Sequence, residues 1–331
     1  MTHWFRSRPR LSIFLGIFTG IIILLIVLAL KPFSLKETFT PNPAESYEDA
    51  FERIQSIQAE ESNLDLHPEC VTKLQTHGEK ADTVIVFLHG FTACPEQFAE
   101  LGQEYFERGY NVYIPRTPHH GFNDRRGEPL KGLTAEEMAE FSHQTADIAQ
   151  GLGERVIIAG LSGGGVMATY LSQERDDVDV AAPISPFLGI KFIPRIFNRP
   201  FANLFLTLPD FWQWWDPIHK ENNPLSAPYS YARYSLHALL ENMRLGYAAE
   251  ADAKRTRPAA GQTIVITNAN DDSVNYDVIA EFEQLWQEHG EENLVTFQFE
   301  KALKLPHDLI SPTRPGARID LVYPKLLELI R

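Results

Sequence analysis

Apolar residues fall along this chain in short, nearly continuous runs, separated by longer stretches whose apolar positions recur at helical spacing. Thr83 to Leu88 (TVIVFL), Asn111 to Ile114, Val156 to Ala159, Val178 to Ile184, Thr263 to Thr267 and Leu294 to Phe299 are the runs. Thr83 to Leu88 is apolar without a break, the pattern of a strand buried on both sides in a parallel sheet, and the others read as further strands. Helices are expected at Pro95 to Arg108, Thr134 to Gln150, Tyr276 to His289 and Ala317 to Ile330. Pro95 near the start and Gly109 past the end bound the first of these. Thr134 with Glu137 three residues on is a capping-box pattern that starts the second. Glu45 to Glu60 reads as a short amphipathic helix suited to packing or spacing. Strands alternating with helices predict an α/β architecture, a mainly parallel sheet with helices on both faces. The alternation stops between about residues 185 and 253, a stretch rich in Pro and aromatic rings, and this reads as an inserted cap.

One further apolar run is longer than any strand. Residues 11 to 30, LSIFLGIFTGIIILLIVLAL, contain no charge. At 1.5 Å per residue such a helix is about 30 Å long, the thickness of a bilayer core. Arg6, Arg8 and Arg10 precede it, which orients the N-terminus to the cytoplasm and the body to the far side. Trp4 and Phe5 would sit at the interface. The competing reading is a signal peptide cleaved near Val27-Leu28-Ala29, which would leave a secreted body; the apolar core is long for that.

Charge sharpens this division. The chain of 331 residues has a formal charge of −14, and without the three arginines of the first ten residues it holds 27 basic against 44 acidic side chains, a formal −17. Such a body is repelled by nucleic acid, and no basic patch, metal-ligand spacing or phosphate-binding loop is visible; no metal or cofactor is expected. The two cysteines, Cys70 and Cys94, flank the first core strand. They read either as one disulfide, suited to an oxidising compartment, or as two buried thiols.

The chemistry is concentrated at four places. Gly160-Leu161-Ser162-Gly163-Gly164 stands between a strand and a helix, the setting of a G-x-S-x-G nucleophile elbow. A serine hydroxyl needs a base within hydrogen-bond reach and a carboxylate that orients the base. Asn270-Asp271-Asp272-Ser273-Val274 follows a strand end, and Asp271 is preferred over Asp272 because it stands three residues before the apolar Val274. Pro306-His307-Asp308 lies in the loop before the last helix, which gives the chain order Ser162, Asp271, His307. His89-Gly90-Phe91-Thr92 follows the first core strand and supplies an oxyanion donor, the backbone N–H of Phe91, to act with that of Gly163. His89 itself is expected to brace its loop rather than to act on substrate.

These four motifs together resemble the α/β-hydrolase superfamily, and within it the carboxylesterase and monoacylglycerol-lipase-like branch. Arg116-Thr117-Pro118-His119-His120-Gly121 is similar to the R-x-P-G-H-G loop of that branch, but His119 stands where Gly is usual, and no catalytic role is assigned to it. The resemblance covers roughly residues 70 to 331, with the cap least well matched. It implies an α/β-hydrolase domain over 70–331 with the cap at about 185–253; the N-terminal pattern adds a tail and anchor over 1–31 and a linker with a short helix over 32–69. Taken together, the anchor and the resemblance lead to the expectation of a membrane-anchored serine hydrolase that cleaves apolar or lipid-like carboxylic esters through an acyl-enzyme. Trp212, Trp214 and Trp215, with Phe205 and Phe211, would either line an acyl pocket or hold the cap to the core. Amide cleavage by an aminopeptidase-like relative, acyl transfer, and a non-catalytic binding protein on this scaffold are the alternatives. For the aminopeptidase the cap offers only scattered acids such as Asp210, Asp216 and Glu221.

Overall fold

The computed structural model describes residues 9–331 except Pro32, Ser34, Lys36, Glu37, Thr38, Leu225 and Glu291, with side chains from Phe14 onward. Trp4, Phe5, Arg6, Arg8 and the Arg10 side chain lie outside the described residues. The strands are β1 (Lys73–Gln75), β2 (Ala81–Leu88), β3 (Asn111–Ile114), β4 (Gly153–Leu161), β5 (Val180–Ile184), β6 (Trp212–Trp214), β7 (Arg233–Ser235), β8 (Gln262–Asn268) and β9 (Leu294–Phe299). The helices are α1 (Pro9–Ala29), α2 (Tyr47–Glu61), α3 (Ala99–Phe106), α4 (Ala135–Leu152), α5 (Gly163–Glu174), α6 (Arg195–Phe205), α7 (Leu236–Ala253), α8 (Tyr276–Glu288) and α9 (Ile319–Leu329).

Seven strands make one sheet in the order β1-β3-β2-β4-β5-β8-β9, parallel throughout except for β1 against β3. Side chains alternate across it. Val84, Val86 and Leu88 of β2 join one core with residues of α2, α4, α5, α7 and α8. Ile85 and Phe87 join the other with Leu101 and Tyr105 of α3 and Val322 and Leu326 of α9. The register pairs Leu88 with Gly160, Leu161 with Ile184, Ile184 with Ile266 and Asn268 with Phe299. The carboxyl ends of β2, β4, β5, β8 and β9 therefore reach one edge of the sheet, where such folds hold their ligands. The expected capping of α4 is present: the Thr134 side chain accepts from the Glu137 backbone N–H at 3.2 Å.

Three expectations change in the structure. The stretch read as a cap over 185–253 ends in α7, and Leu239, Leu240 and Met243 of that helix are buried in the main core. The cap proper is thus the shorter segment through β6 and β7, which pair antiparallel as a ribbon outside the main sheet. The segment read as a linker is docked rather than free. Phe33 stacks on Tyr247 at 5.4 Å, Phe39 stacks on His143 at 4.3 Å, and the Asn42 N–H donates to Asp147 Oδ2 at 2.9 Å. Finally, among the described residues no helix is long and apolar enough to cross a membrane. The stretch of α1 whose side chains are described runs from Phe14 to Ala29, about 24 Å at 1.5 Å per residue. The expected span over residues 11–30 is therefore not established by the fold.

Candidate active site

β4 runs directly into Ser162, which has φ 55° and ψ −109°. A non-glycine residue at positive φ is strained, and the turn is held by its surroundings. The Ser162 N–H donates to the Ile184 carbonyl at 2.9 Å, and its carbonyl accepts from Val166 and Phe187 N–H at 3.0 and 3.1 Å. The turn is tight enough to demand glycine on both sides: a Cβ on Gly160 would lie 2.2 Å from the Gly164 carbonyl oxygen, and one on Gly164 would lie 1.9 Å from that of Leu88. The sequence Gly-x-Ser-x-Gly is here a packing requirement between β4, α5 and β2.

On the same edge, His307 Nδ1 donates to Asp271 Oδ2 at 2.7 Å. Asp271 is buried; its Oδ1 accepts from the Ser273 N–H at 2.8 Å, and its backbone carbonyl accepts from Lys191 Nζ at 2.6 Å. Burial alone would raise its pKa, but the charge and hydrogen bond of His307, with the Ser273 and Val274 N–H groups, hold it below the usual carboxylate value. Burial lowers the His307 pKa, yet the Asp271 charge and hydrogen bond outweigh it and the net shift is upward. Asp272 is exposed and its Oδ1 accepts from the Ser273 hydroxyl at 3.3 Å, so the structure pairs His307 with Asp271 and not with Asp272. Among the described residues no hydrogen bond closes between Ser162 and His307, a contact that in unliganded hydrolytic sites commonly tightens with substrate.

The two expected oxyanion donors are neighbours: a Cβ placed on Gly163 would lie 2.9 Å from the Phe91 nitrogen. The loop carrying Phe91 is pinned at several points. The Gly90 N–H donates to Gln97 Oε1 at 2.7 Å, and a Cys70–Cys94 disulfide (Cα–Cα 5.2 Å) ties its far end to the start of the domain. His89 braces the loop as expected. Its Nδ1 is 3.1 Å from the Gly90 carbonyl and its Nε2 accepts from the Thr117 N–H at 3.1 Å. Burial pushes its pKa down to about 4, so the ring stays neutral. The Arg116 to Gly121 loop thus serves as a strut: it holds His89, and Arg116 is itself fixed by an ion pair with Glu61 at 2.8 Å.

The tryptophans divide. Trp212 and Trp214 share one face of β6 and flank the Arg233 guanidinium, which lies 4.5 and 5.5 Å from their ring centroids. Both rings thus pack on Arg233 from the other strand of the cap ribbon. Trp215 turns the other way: its Nε1 donates to Thr92 Oγ1 at 3.0 Å and its ring lies 4.3 Å from that of Tyr234, which in turn contacts Phe91 at 6.0 Å. Phe205 stacks on Phe201 at 4.1 Å and meets Phe211 edge-on at 6.2 Å.

Residues 85–305 match the alpha/beta hydrolase family. The chain belongs to that family. As an alpha/beta hydrolase it is 27% identical over 123 residues to a thermostable monoacylglycerol lipase of Bacillus sp. (strain H-257), a match covering 35% of this chain. The match spans about half of that relative, 46% of its length. Its fold is similar to a structure from the work on LipS and LipT, two metagenome-derived lipolytic enzymes, with TM-score 0.61, 16% identity, and 80% of this chain and 99% of the other covered. It is similar also to the monoacylglycerol lipase of Paleococcus ferrophilus, with TM-score 0.58, 16% identity, and coverage of 81% and 98%.

Some residues that shape the site of this alpha/beta hydrolase are not apparent from its motifs. Asn268 Nδ2 donates to the carbonyls of Leu305 and Pro306, both at 3.0 Å, and Asn270 Nδ2 to that of Leu305 at 3.0 Å. Together they lash the histidine loop to the acid loop. Lys191 does the same from the base of the cap through its bond to the Asp271 carbonyl. The one available signal was the repeated Asn in Asn268-Ala269-Asn270, a residue type that favours side-chain bonds to nearby backbone.

Proposed function

We propose that the chain is a membrane-attached serine hydrolase that cleaves carboxylic esters with apolar or lipid-like acyl groups, using Ser162, His307 and Asp271. The observation that carries this reading is the His307–Asp271 hydrogen bond at the sheet edge that also presents Ser162 at positive φ. In the proposed cycle, Ser162 Oγ attacks the ester carbonyl carbon while its proton passes to His307 Nε2. The oxyanion accepts from the Phe91 and Gly163 N–H groups, a contribution of roughly 3–4 kcal/mol per donor. Collapse breaks the bond to the alcohol, which leaves with the proton from His307. Water then attacks the acyl-enzyme, its proton goes to His307, and return of that proton to Ser162 releases the acid. Asp271 holds the ring with Nδ1 protonated and stabilises the imidazolium.

The lipid-like substrate class rests on the similarity to the Bacillus monoacylglycerol lipase and on the aromatic cap. Membrane attachment rests on the uncharged run 11–30, described in part as α1 with its apolar side chains exposed. Arg6, Arg8 and Arg10 support a cytoplasmic N-terminus, and the Cys70–Cys94 disulfide supports a hydrolase body on an oxidising far side. The test is hydrolysis of a p-nitrophenyl ester series, from acetate to long acyl chains, by the full chain in detergent beside Ser162→Ala. Activity that disappears in Ser162→Ala is expected, with a maximum beyond the shortest chains. A folded protein inactive on every ester, and unlabelled at Ser162 by a fluorophosphonate, would overturn the reading.

A further inference from the structure

Helix α6 exposes large apolar side chains in its first turn while it buries two polar ones. Asn198 and Asn203 are buried, whereas Ile196 and Phe197 in its first turn are 70% and 56% exposed, and Phe192 just before it is 86% exposed. Both buried asparagines are hydrogen-bonded. Asn198 Oδ1 accepts from the Ile190 N–H at 2.7 Å and its Nδ2 donates to the Ile193 carbonyl at 2.8 Å. Asn203 Nδ2 donates to the carbonyls of Ala29 and Lys31 at 2.8 and 2.9 Å. The inward bonds fix the helix with Ile196 and Phe197 facing out, while Phe201, Ala202 and Phe205 pack toward the core. Large apolar residues grouped on a surface mark a binding face.

What covers this face follows from the second role of Asn203. It bonds the carboxyl end of α1, so the apolar helix leaves the body beside α6. From Phe14 to Val27 the large side chains of α1 are exposed as well. A soluble partner or a second copy would have to cover both a rod and a patch set at its foot. A bilayer covers both at once, with α1 inside and the patch at the headgroup boundary.

We infer that the cap face built from Phe192, Ile196 and Phe197 lies in a phospholipid surface, so that the cap and not only α1 contacts the membrane. This rests on the membrane-attached reading above and adds the orientation of the hydrolase body on the bilayer. The zwitterionic surface is the partner chosen, because the body's formal −17 opposes anionic lipid.

The described cysteines are both held in the disulfide, so Ile196→Cys takes a maleimide-linked environment-sensitive fluorophore alone. The full chain is reconstituted into phosphatidylcholine vesicles with and without a spin label on the acyl chain. Glu154→Cys, at the opposite edge of the sheet where β4 begins, is the control. The expected result is at least twofold quenching at position 196 and none at 154. Absence of quenching at 196 in protein that remains on the vesicles overturns the inference. So does a fluorescence change at 196 that follows protein concentration without lipid, which would assign the patch to a second copy. A second variant, Ile196→Ser with Phe197→Ser, is expected to lose fivefold or more of its activity on a vesicle-embedded ester and none on a water-soluble acetate ester; equal loss on both overturns the inference. Ser162-dependent hydrolysis of the acetate ester, read in every sample, reports on the hydrolase reading separately from lipid contact.

Discussion

At the scale of single residues the site is a set of opposed electrostatic effects, and the sign of each can be tested. Asp271 is charged despite its burial because His307 and two backbone N–H groups face it. Replacing it with Asn keeps the shape, removes the charge and favours the wrong imidazole tautomer. Asp271→Asn is expected to lower kcat roughly a thousandfold to ten-thousandfold, while Asp272→Asn, at an exposed position, stays within about threefold; steady-state kinetics on one ester decides between the two acids. The pH profile follows from the same pair. In the proposed cycle His307 must be neutral to take the serine proton, and the Asp271 charge holds its pKa above the ordinary imidazole value of about 6.5. The acid limb of kcat/KM should therefore have its midpoint above 6.5, and residual activity in Asp271→Asn should show that midpoint moved down, since the group that raises it is gone. The pair also links pH to stability in two windows. The raised His307 stabilises fully below its unfolded pKa and loses that contribution as pH rises through the folded value. The lowered Asp271 stabilises above its unfolded pKa and loses that contribution as pH falls through the folded value.

Elements explain both what the sequence revealed and what it hid. Most strand runs were legible because a strand buried on both faces has to be apolar throughout; Asn111–Ile114, buried along its length, and the partly exposed edge strand Leu294–Phe299 match their expected bounds residue for residue. The strained turn at Ser162 was legible because the glycines around it mark a tight strand-to-helix turn, and the pairing of His307 with Asp271 because both stand in loops at the carboxyl edge of the sheet. Helix α7 was missed because it starts at Leu236, only a few residues beyond the aromatic cap ribbon, and nothing at Ser235 in the sequence marks a return to the core; its cap, a Ser235 hydroxyl accepting from the Ala238 N–H at 3.1 Å, is a short-range signal of common type. The roles of Trp212 and Trp214 were hidden because their partner, Arg233, comes from the other strand of the ribbon. The joint between β8 and the histidine loop is the least legible feature and a sensitive one. Asn268 is fully buried, and Asn268→Ala would leave the Leu305 and Pro306 carbonyls without its two bonds. A loss of about 1–3 kcal/mol is expected, read by denaturant unfolding. A fall in kcat with KM nearly unchanged should accompany it, because the loop positions the base and not the ester.

At the scale of the whole molecule, the segment after α1 decides whether α1 is joined to the body rigidly or through a tether. A free linker would let the body swing, and its removal would cost the fold nothing. Here the segment after α1 runs along the core: Phe33 stacks on Tyr247 with the Arg244 guanidinium 5.4 Å from its ring centroid, and Phe39 covers His143. The Asn42 and Ala44 N–H groups both bond Asp147, whose carboxylate pairs with the buried Arg175 at 2.7 Å. From there α2 packs on α4 so closely that a Cβ on Gly151 would lie 2.4 Å from the Ser46 carbonyl oxygen. Two truncations separate the models. A chain starting at residue 32 keeps every one of these contacts from Phe33 onward and should melt within about 2 °C of the full chain. A chain starting at residue 45 exposes Tyr247 and His143 and leaves Asp147 without its two backbone partners. Uncovering two partly buried rings and losing those bonds amounts to about 2–4 kcal/mol, which for a domain of this size is a fall of roughly 5–10 °C in Tm. Equal melting of the two would mean that the segment is a tether after all, and the orientation proposed for the cap face would then depend on α6 alone.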